Sequence, residues 1–245
     1  MREALEQLLL PAECLLCHAA LSFSRSRRLV CDVCRHRWRA VRAPWCERCG
    51  QPEPHFGGCR VCAGWPAALQ WARSAVWLEH GARVAVHALK YRGLPRIAEE
   101  LADAMARLDP PARGTASLVP VPLGPLRLRQ RGYNQSEWLA RSLGRRWGRP
   151  VLSLLVRARE TVTQTALTPE ARLANVAGAF AMKNARCPMI NEKWALDIEH
   201  STLIIVDDVF TTGATLAECA RALERAGART VLAVTFGRAV VPDFT

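Results

Sequence analysis

The chain has 245 residues, ten cysteines, and 34 Lys and Arg against 22 Asp and Glu, a net charge of +12. At a soft prior of about 150 residues per domain, that is room for one ordinary α/β domain and a smaller module, and the basic surplus suits phosphate-bearing polyanions. No apolar run approaches the roughly 20 residues a bilayer span needs, and Met1 to Leu10 carries two Glu and one Arg, unlike a signal peptide, so no membrane span is expected and the expected compartment is the cytoplasm.

Eight of the cysteines form four Cys-x-x-Cys pairs: Cys14/Cys17, Cys31/Cys34, Cys46/Cys49 and Cys59/Cys62. Nothing directs export, so bound metal is expected rather than a disulfide scaffold. A two-residue gap lets a tight knuckle aim both sulfurs at one ion, and eight thiolates complete two tetrahedral zinc sites. Chain order predicts one zinc on the first two pairs and one on the last two, a double zinc ribbon; a cross-braced pairing is the alternative. All-cysteine sites leave no open position for catalysis, so the zinc is expected to stabilise a fold too small to bury its own core. His18, His36 and His55 lie near the knuckles as bystanders or substitute ligands. Cys187 and Cys219 are left over, Cys219 as a packed thiol on the apolar side of a helix.

The text changes near Gly64-Trp65-Pro66, which predicts a zinc module at 1–66 and a second domain at 67–245. In that domain Ser74 to Leu78 reads as a strand, and Ala82 to Tyr91 and Ile97 to Leu108 as helices. Pro110-Pro111 and Gly114 break the chain before an apolar strand, Ser117 to Pro122. Asn134 to Trp147 is a helix with Asn134 as its cap and Glu137 three residues on. Val151 to Val156 is a further strand, leading into a polar stretch that ends near Pro169. Leu203 to Val206 is a strand, Gly213 to Ala226 a helix closed by Gly227, and Val231 to Phe236 a last strand. This alternation predicts an α/β fold, a parallel sheet flanked by helices. Much of the positive charge is local: seven arginines between Arg127 and Arg149 face Glu137 alone. They form either a solvated helix face or a contact for phosphates.

The run Leu203-Ile-Ile-Val-Asp207-Asp208-Val-Phe-Thr211-Thr212-Gly213-Ala214-Thr215 carries the most chemistry. An apolar strand delivers two adjacent carboxylates to its carboxyl end, and a Thr/Gly turn opens a helix. Backbone N–H groups at a helix start, helped by threonine hydroxyls, hold a phosphate dianion, and Gly213 lets the backbone approach it. The carboxylates can accept hydrogen bonds from ribose hydroxyls or approach a hydrated Mg²⁺; a helix-capping acidic cluster is the other reading. The run resembles the signature of type I phosphoribosyltransferases. That resemblance implies binding of 5-phosphoribosyl-1-pyrophosphate (PRPP) with Mg²⁺, the ribose hydroxyls on Asp207 and Asp208 and the 5′-phosphate on Thr211, Thr212, Gly213, Ala214 and Thr215. Some purine-salvage members carry an Asp proposed as proton acceptor where this chain has Thr211, so base catalysis there is not available.

Two further blocks, Val119-Pro-Val-Pro122 with Arg131-Gly-Tyr-Asn134-Gln135, and the set Thr161, Gln164, Leu167, Arg172, Asn175 and Phe180, are similar to hallmarks of the ComF/GntX group of competence-associated proteins. Its members join a zinc ribbon to a phosphoribosyltransferase-like domain. Arg131, Asn134 and Gln135, at the carboxyl end of the sheet where α/β ligands bind, are candidates for the pyrophosphate arm. Lys90 either reaches the phosphates or snorkels to solvent. The resemblance implies that Gln164, Arg172 and Asn175 lie in a loop that folds over the ligand; a solvent loop with Arg172 in a surface salt bridge is the alternative. It implies a DNA-handling accessory that binds PRPP and single-stranded DNA and supports DNA uptake, with a competence helicase or DNA-processing proteins as partners. Trp38, Trp45, Tyr133 and Trp138 lie among arginines as stacking or core residues. The alternatives are an active transferase, in which Asp207, Asp208 and Arg131 stabilise the departing pyrophosphate, and a degenerate domain that only senses PRPP or scaffolds partners.

Overall fold

The computed structural model describes residues 12–21, 28–52, 58–112, 115–159, 176–183 and 197–239. Four strands, β1 (Leu69–Trp77), β2 (Ala116–Pro120), β5 (Thr202–Phe210) and β6 (Thr230–Arg238), form a parallel sheet in the order β1-β6-β5-β2. Ala72, Ala233, Ile205 and Val119 lie in one row across it. The runs Leu203 to Val206 and Val231 to Val234 are apolar at every position because both faces of the sheet are covered. Ile204, Val206, Leu232 and Val234 face a core shared with helices α2 (His80–Tyr91), α3 (Ile97–Met105) and α5 (Gln135–Trp147). Leu203, Ile205, Val231 and Ala233 face the other core, with α6 (Ala214–Arg225). In α3 the residues Ile97, Leu101 and Met105, four apart on one stripe, are wholly buried; such a side chain contributes about 1.5–3 kcal/mol.

The strands run longer than their apolar text. β1 begins at Leu69 rather than Ser74: Gln70 and Arg73 interrupt the apolar run, yet Leu69 and the residues from Trp71 onward pair with β6, the register shifting at Gln70. β5 continues through Asp207 and Asp208 to Phe210, so the carboxylates stand on the strand itself. The expected strand at Val151 to Val156 is not a unit: Val151 makes a single bridge to Leu118, and β3 (Leu155–Arg157) pairs antiparallel with β4 (Phe180–Met182) outside the main sheet. Between Pro122 and Asn134 lies a helix that the apolar pattern does not show, α4 (Pro125–Arg131), which has no buried residue. Its signs are a proline in the first turn and Gly132 at φ 81° after the last. Asn134 caps α5, accepting from Ser136 N, whereas Glu137 pairs with Arg141 at 2.6 Å.

The cysteine module includes a short helix, α1 (Asp32–His36), and closes the free edge of β1. Ala40 bridges Val76 in antiparallel sense, Val41 N donates to Ala75 O (3.3 Å), Trp77 N to Arg39 O (2.8 Å) and Ala72 N to Arg48 O (2.8 Å). An exposed strand edge would otherwise invite pairing with another chain. The module also divides between the two cores: Cys14, Cys34 and Trp38 join the first, and Cys49, Cys62 and Trp65 the second.

Candidate functional site

The cysteines meet in two groups, Cys14, Cys17, Cys31 and Cys34, and Cys46, Cys49, Cys59 and Cys62, with all sulfurs in a group within 4.8 Å of one another. This is the sequential pairing rather than the cross-braced one. The Sγ separations are 3.7 Å for Cys17 and Cys31, 3.7 Å for Cys46 and Cys62, and 3.4 Å for Cys49 and Cys59. A tetrahedron with zinc–sulfur bonds of about 2.3 Å has an edge of about 3.8 Å, so the donor sets fit zinc. Burial and then the neighbouring thiols push Cys62 up to about 12 and raise Cys34 and Cys49 as well, a penalty that a coordinated cation removes. His18 and His36 belong to neither group, Cys219 is fully buried in α6, and His55 and Cys187 lie outside the described residues.

On the sheet, Asp207 and Asp208 are both buried. Ser136 Oγ, in the first turn of α5, donates to Asp207 Oδ1 at 2.8 Å, and Asp208 N donates to the same oxygen at 2.9 Å. Lys90, from the last turn of α2, places Nζ 2.8 Å from Asp208 Oδ1. Asp208 Oδ2 is buried without a hydrogen-bond partner. Burial, then the charge of Asp208, pushes Asp207 up to about 7 against the pull of Lys90 and Ser136. Burial works to lower Lys90, and the Asp208 carboxylate outweighs it. The pair thus holds an ammonium ion and leaves one carboxylate oxygen to be satisfied, by a hydroxyl donor or by a hydrated cation such as Mg²⁺.

The turn after β5 brings Thr211, Thr212, Gly213, Ala214 and Thr215 to the start of α6, where backbone N–H groups lack helical partners. Thr212 Oγ1 accepts from Ala214 N at 3.4 Å. Gly213 stands at φ 76°, and a Cβ there would lie 2.9 Å from Trp65 Cζ2 and 3.0 Å from Phe210 Cζ. Both its conformation and its walls therefore require glycine. Arg131 is hydrogen-bonded to Gln135 and lies over the Tyr91 ring at 5.3 Å. Tyr133 Oη donates to Leu89 O at 2.5 Å, and Asn134 Nδ2 to Val121 O at 3.0 Å. Asn134 is thus occupied in holding the chain between β2 and α5. Gln164, Arg172 and Asn175 lie outside the described residues.

Residues 5–63 match the double zinc ribbon domain family, and residues 78–239 match the phosphoribosyl transferase domain family. Over 235 residues the chain is 33% identical to the DNA utilization protein YhgH of Salmonella typhimurium, covering 91% of this chain and 96% of the relative. It is 27% identical over 233 residues to the competence protein ComFC of Bacillus subtilis, covering 87% and 89%. The chain belongs to the ComF family of phosphoribosyltransferase-domain proteins. Two residues of this ComF-type site had no signal in the sequence. Ser136 holds Asp207 from a different helix, marked only by its place after the Asn134-Gln135 block, and Trp65 reaches the loop from the zinc module.

The stacking residues and basic patch of this ComF protein are partly committed. Trp38 is buried edge-on against Phe236 (5.1 Å), and Trp45 covers Arg73 (4.9 Å), while Trp138 is exposed. Arg141, Arg145 and Arg146 pair with Glu137, Glu99 and Asp103, so the local charge is smaller than its count. A cleft of about 420 Å³ between the zinc module and α3 takes in Trp38, Trp45 and Trp71 with Arg35, Arg73 and Arg107, but also Glu47, Glu100, Asp103 and Asp109, so its lining carries no surplus of positive charge for a phosphate. Among the described residues no helix is long and apolar enough to cross a membrane.

Proposed function

We propose that this chain is a ComF-type accessory of DNA uptake, organised as a zinc module at 1–66 and a ligand domain at 67–245, which binds PRPP with Mg²⁺ and contacts single-stranded DNA. The observation that carries the PRPP reading is the buried Asp207–Asp208 pair, with one carboxylate oxygen unpartnered, placed directly before a glycine-opened helix start. In this reading Asp207 and Asp208 take the ribose hydroxyls, and the amides and hydroxyls from Thr211 to Thr215 take the 5′-phosphate. Arg131 and Gln135 lie towards the pyrophosphate, and bound Mg²⁺ would neutralise charge on it. The names of the relatives support the DNA role, and the exposed helix α4, with Arg129 outward, supports contact with a phosphate chain. Calorimetric titration of PRPP with Mg²⁺ tests the reading. Binding by the wild type and an affinity lower by about tenfold or more in Asp208→Asn are expected, and unchanged binding by the variant sinks the site assignment.

The second reading, transfer of phosphoribosyl to a nucleobase-like acceptor, is favoured by the Arg131–Gln135 hydrogen bond beside Tyr91. It fixes a cation where it could stabilise departing pyrophosphate as positive charge develops at the anomeric carbon. A pyrophosphate-release assay, with and without single-stranded DNA, separates the readings. Binding without release leaves the accessory reading standing.

A further inference from the structure

The phosphate loop is held by the zinc module, and by one half of it. Trp65 follows Cys62 by three residues, and its N donates to Cys62 O at 3.2 Å. One side of its ring meets Gly213 and, at 6.1 Å between centroids, Phe210. Arg48 lies over the Trp65 ring at 5.8 Å and donates to Cys62 O (3.3 Å), Pro66 O (2.8 Å) and Leu69 O (3.0 Å). Phe210, the other wall of Gly213, is covered by the guanidinium of Arg238 at 4.1 Å. Arg238, itself 2% exposed, donates to Cys49 O at 2.9 Å and to Gln51 Oε1 at 2.6 Å. A third tie runs from α6, where Arg221 Nη2 donates to Gly64 O at 2.6 Å.

Both aromatic walls of Gly213 are therefore anchored on backbone carbonyls of cysteines in the second group. Glycine has no side chain to fix its own backbone, so at this position the walls must do so. Among the described residues the first group makes none of these ties. Its contacts run to α3, through Leu29 N and Arg35 to Glu100 and through Arg35 to Asp103, and to Phe236 through Trp38.

We infer that Trp65 and Arg238 are positioning residues through which the second cysteine group sets the conformation of the phosphate loop, so that ligand affinity at the loop depends on zinc in that group and not in the first. The inference rests on the reading that the loop holds a phosphoribosyl ligand. Because coupling between two sites is reciprocal, ligand at the loop must also retain zinc in the second group.

The test uses the full chain carrying both zincs. PRPP affinity is measured by calorimetry in Mg²⁺ for the wild type, Trp65→Ala, Trp65→Phe and Trp38→Ala, with melting temperature and zinc content measured alongside. Trp65→Ala is expected to weaken PRPP by about tenfold or more, a coupling of ordinary size. Trp65→Phe should recover most of it, and Trp38→Ala should lower the melting temperature without changing affinity. In a second arm, zinc release to a chromogenic chelator is followed with and without saturating PRPP. Protection of one of the two zincs is expected in the wild type and none in Trp65→Ala. Wild type that binds no PRPP defeats the loop reading, and the inference with it. Wild type that binds while folded Trp65→Ala binds equally well, or PRPP that retains neither zinc or both alike, overturns the inference alone. Should Trp65→Ala fail to fold, Trp65→Phe and the wild-type zinc-release arm decide.

Discussion

The two cysteine groups have the same ligands, the same two-residue gap within each pair and nearly the same sulfur geometry, yet they stand on opposite faces of one sheet. The first leans on α3 through a buried acid, Glu100, and through Trp38 against Phe236. The second leans on the ends of β5 and β6, against the loop that opens α6. A zinc ribbon is usually credited with stability alone, since a closed site does no chemistry. Here the same closed site has a different consequence according to what lies beyond its ligands, as outer contacts determine what a metal site does.

The largest way to break this comparison is to remove one zinc at a time. Cys59→Ser should lose one zinc and all measurable PRPP binding, whereas Cys17→Ser should lose one zinc and some thermal stability but still bind PRPP below its melting temperature. Metal analysis and calorimetry on the two variants check this, and equal loss of binding in both would erase the distinction. Next is Asp208→Asn, which leaves the zinc ties intact and removes the charge that Lys90 pairs with. PRPP affinity should fall by about tenfold or more with zinc content unchanged.

A smaller effect follows from Asp207, whose carboxyl is pushed up to about 7 by burial. A carboxyl with a higher pKa in the folded state binds more protons there than in the unfolded chain. Its contribution to stability therefore falls as pH rises from the ordinary carboxylate range to about 7 and then stays low. Asp207→Asn should melt several degrees above the ligand-free wild type near pH 8, and the gap should close towards pH 4. A gap that widens as pH falls would show the shift to have the opposite sign. Last, Arg129→Ala on α4 should weaken single-stranded DNA and reduce the salt slope of binding by about 0.7, the size of one phosphate contact. PRPP affinity should be untouched, and an unchanged slope would remove α4 from the DNA surface.

The sequence made the centre of the fold legible because a sheet covered on both faces writes itself as unbroken apolar text, as in Leu203 to Val206. It made the cysteine pairing legible because neighbouring knuckles close the shortest loops. It hid whatever depended on a partner distant in the chain. Arg73 looks wrong for a strand until β6 pairs with it on one side and Arg48 of the zinc module bonds its neighbour Ala72 on the other. Val151 and Leu155 look like one strand until each finds a different neighbour. At the site, Asp207, Asp208 and Gly213 were legible because their chemistry is local. Lys90 was readable as reaching the phosphates or snorkelling to solvent, and its 2.8 Å approach to Asp208 is a pairing that neither reading named. Ser136 and Trp65 act on residues 71 and 148 positions away in the chain, beyond the reach of any motif.

The backbone bonds from Arg39, Val41 and Arg48 to β1 also bear on how the chain is made. Among the described residues β1 pairs in the sheet only with β6, which is synthesised more than 150 residues later. Pairings of such long separation form late and leave edges open to wrong partners in the meantime. The zinc module precedes β1 in the chain and closes through local contacts. Its bonds to β1 span 38 residues or fewer, against more than 150 for the pairing with β6, so one side of that strand is closed by the more local contacts.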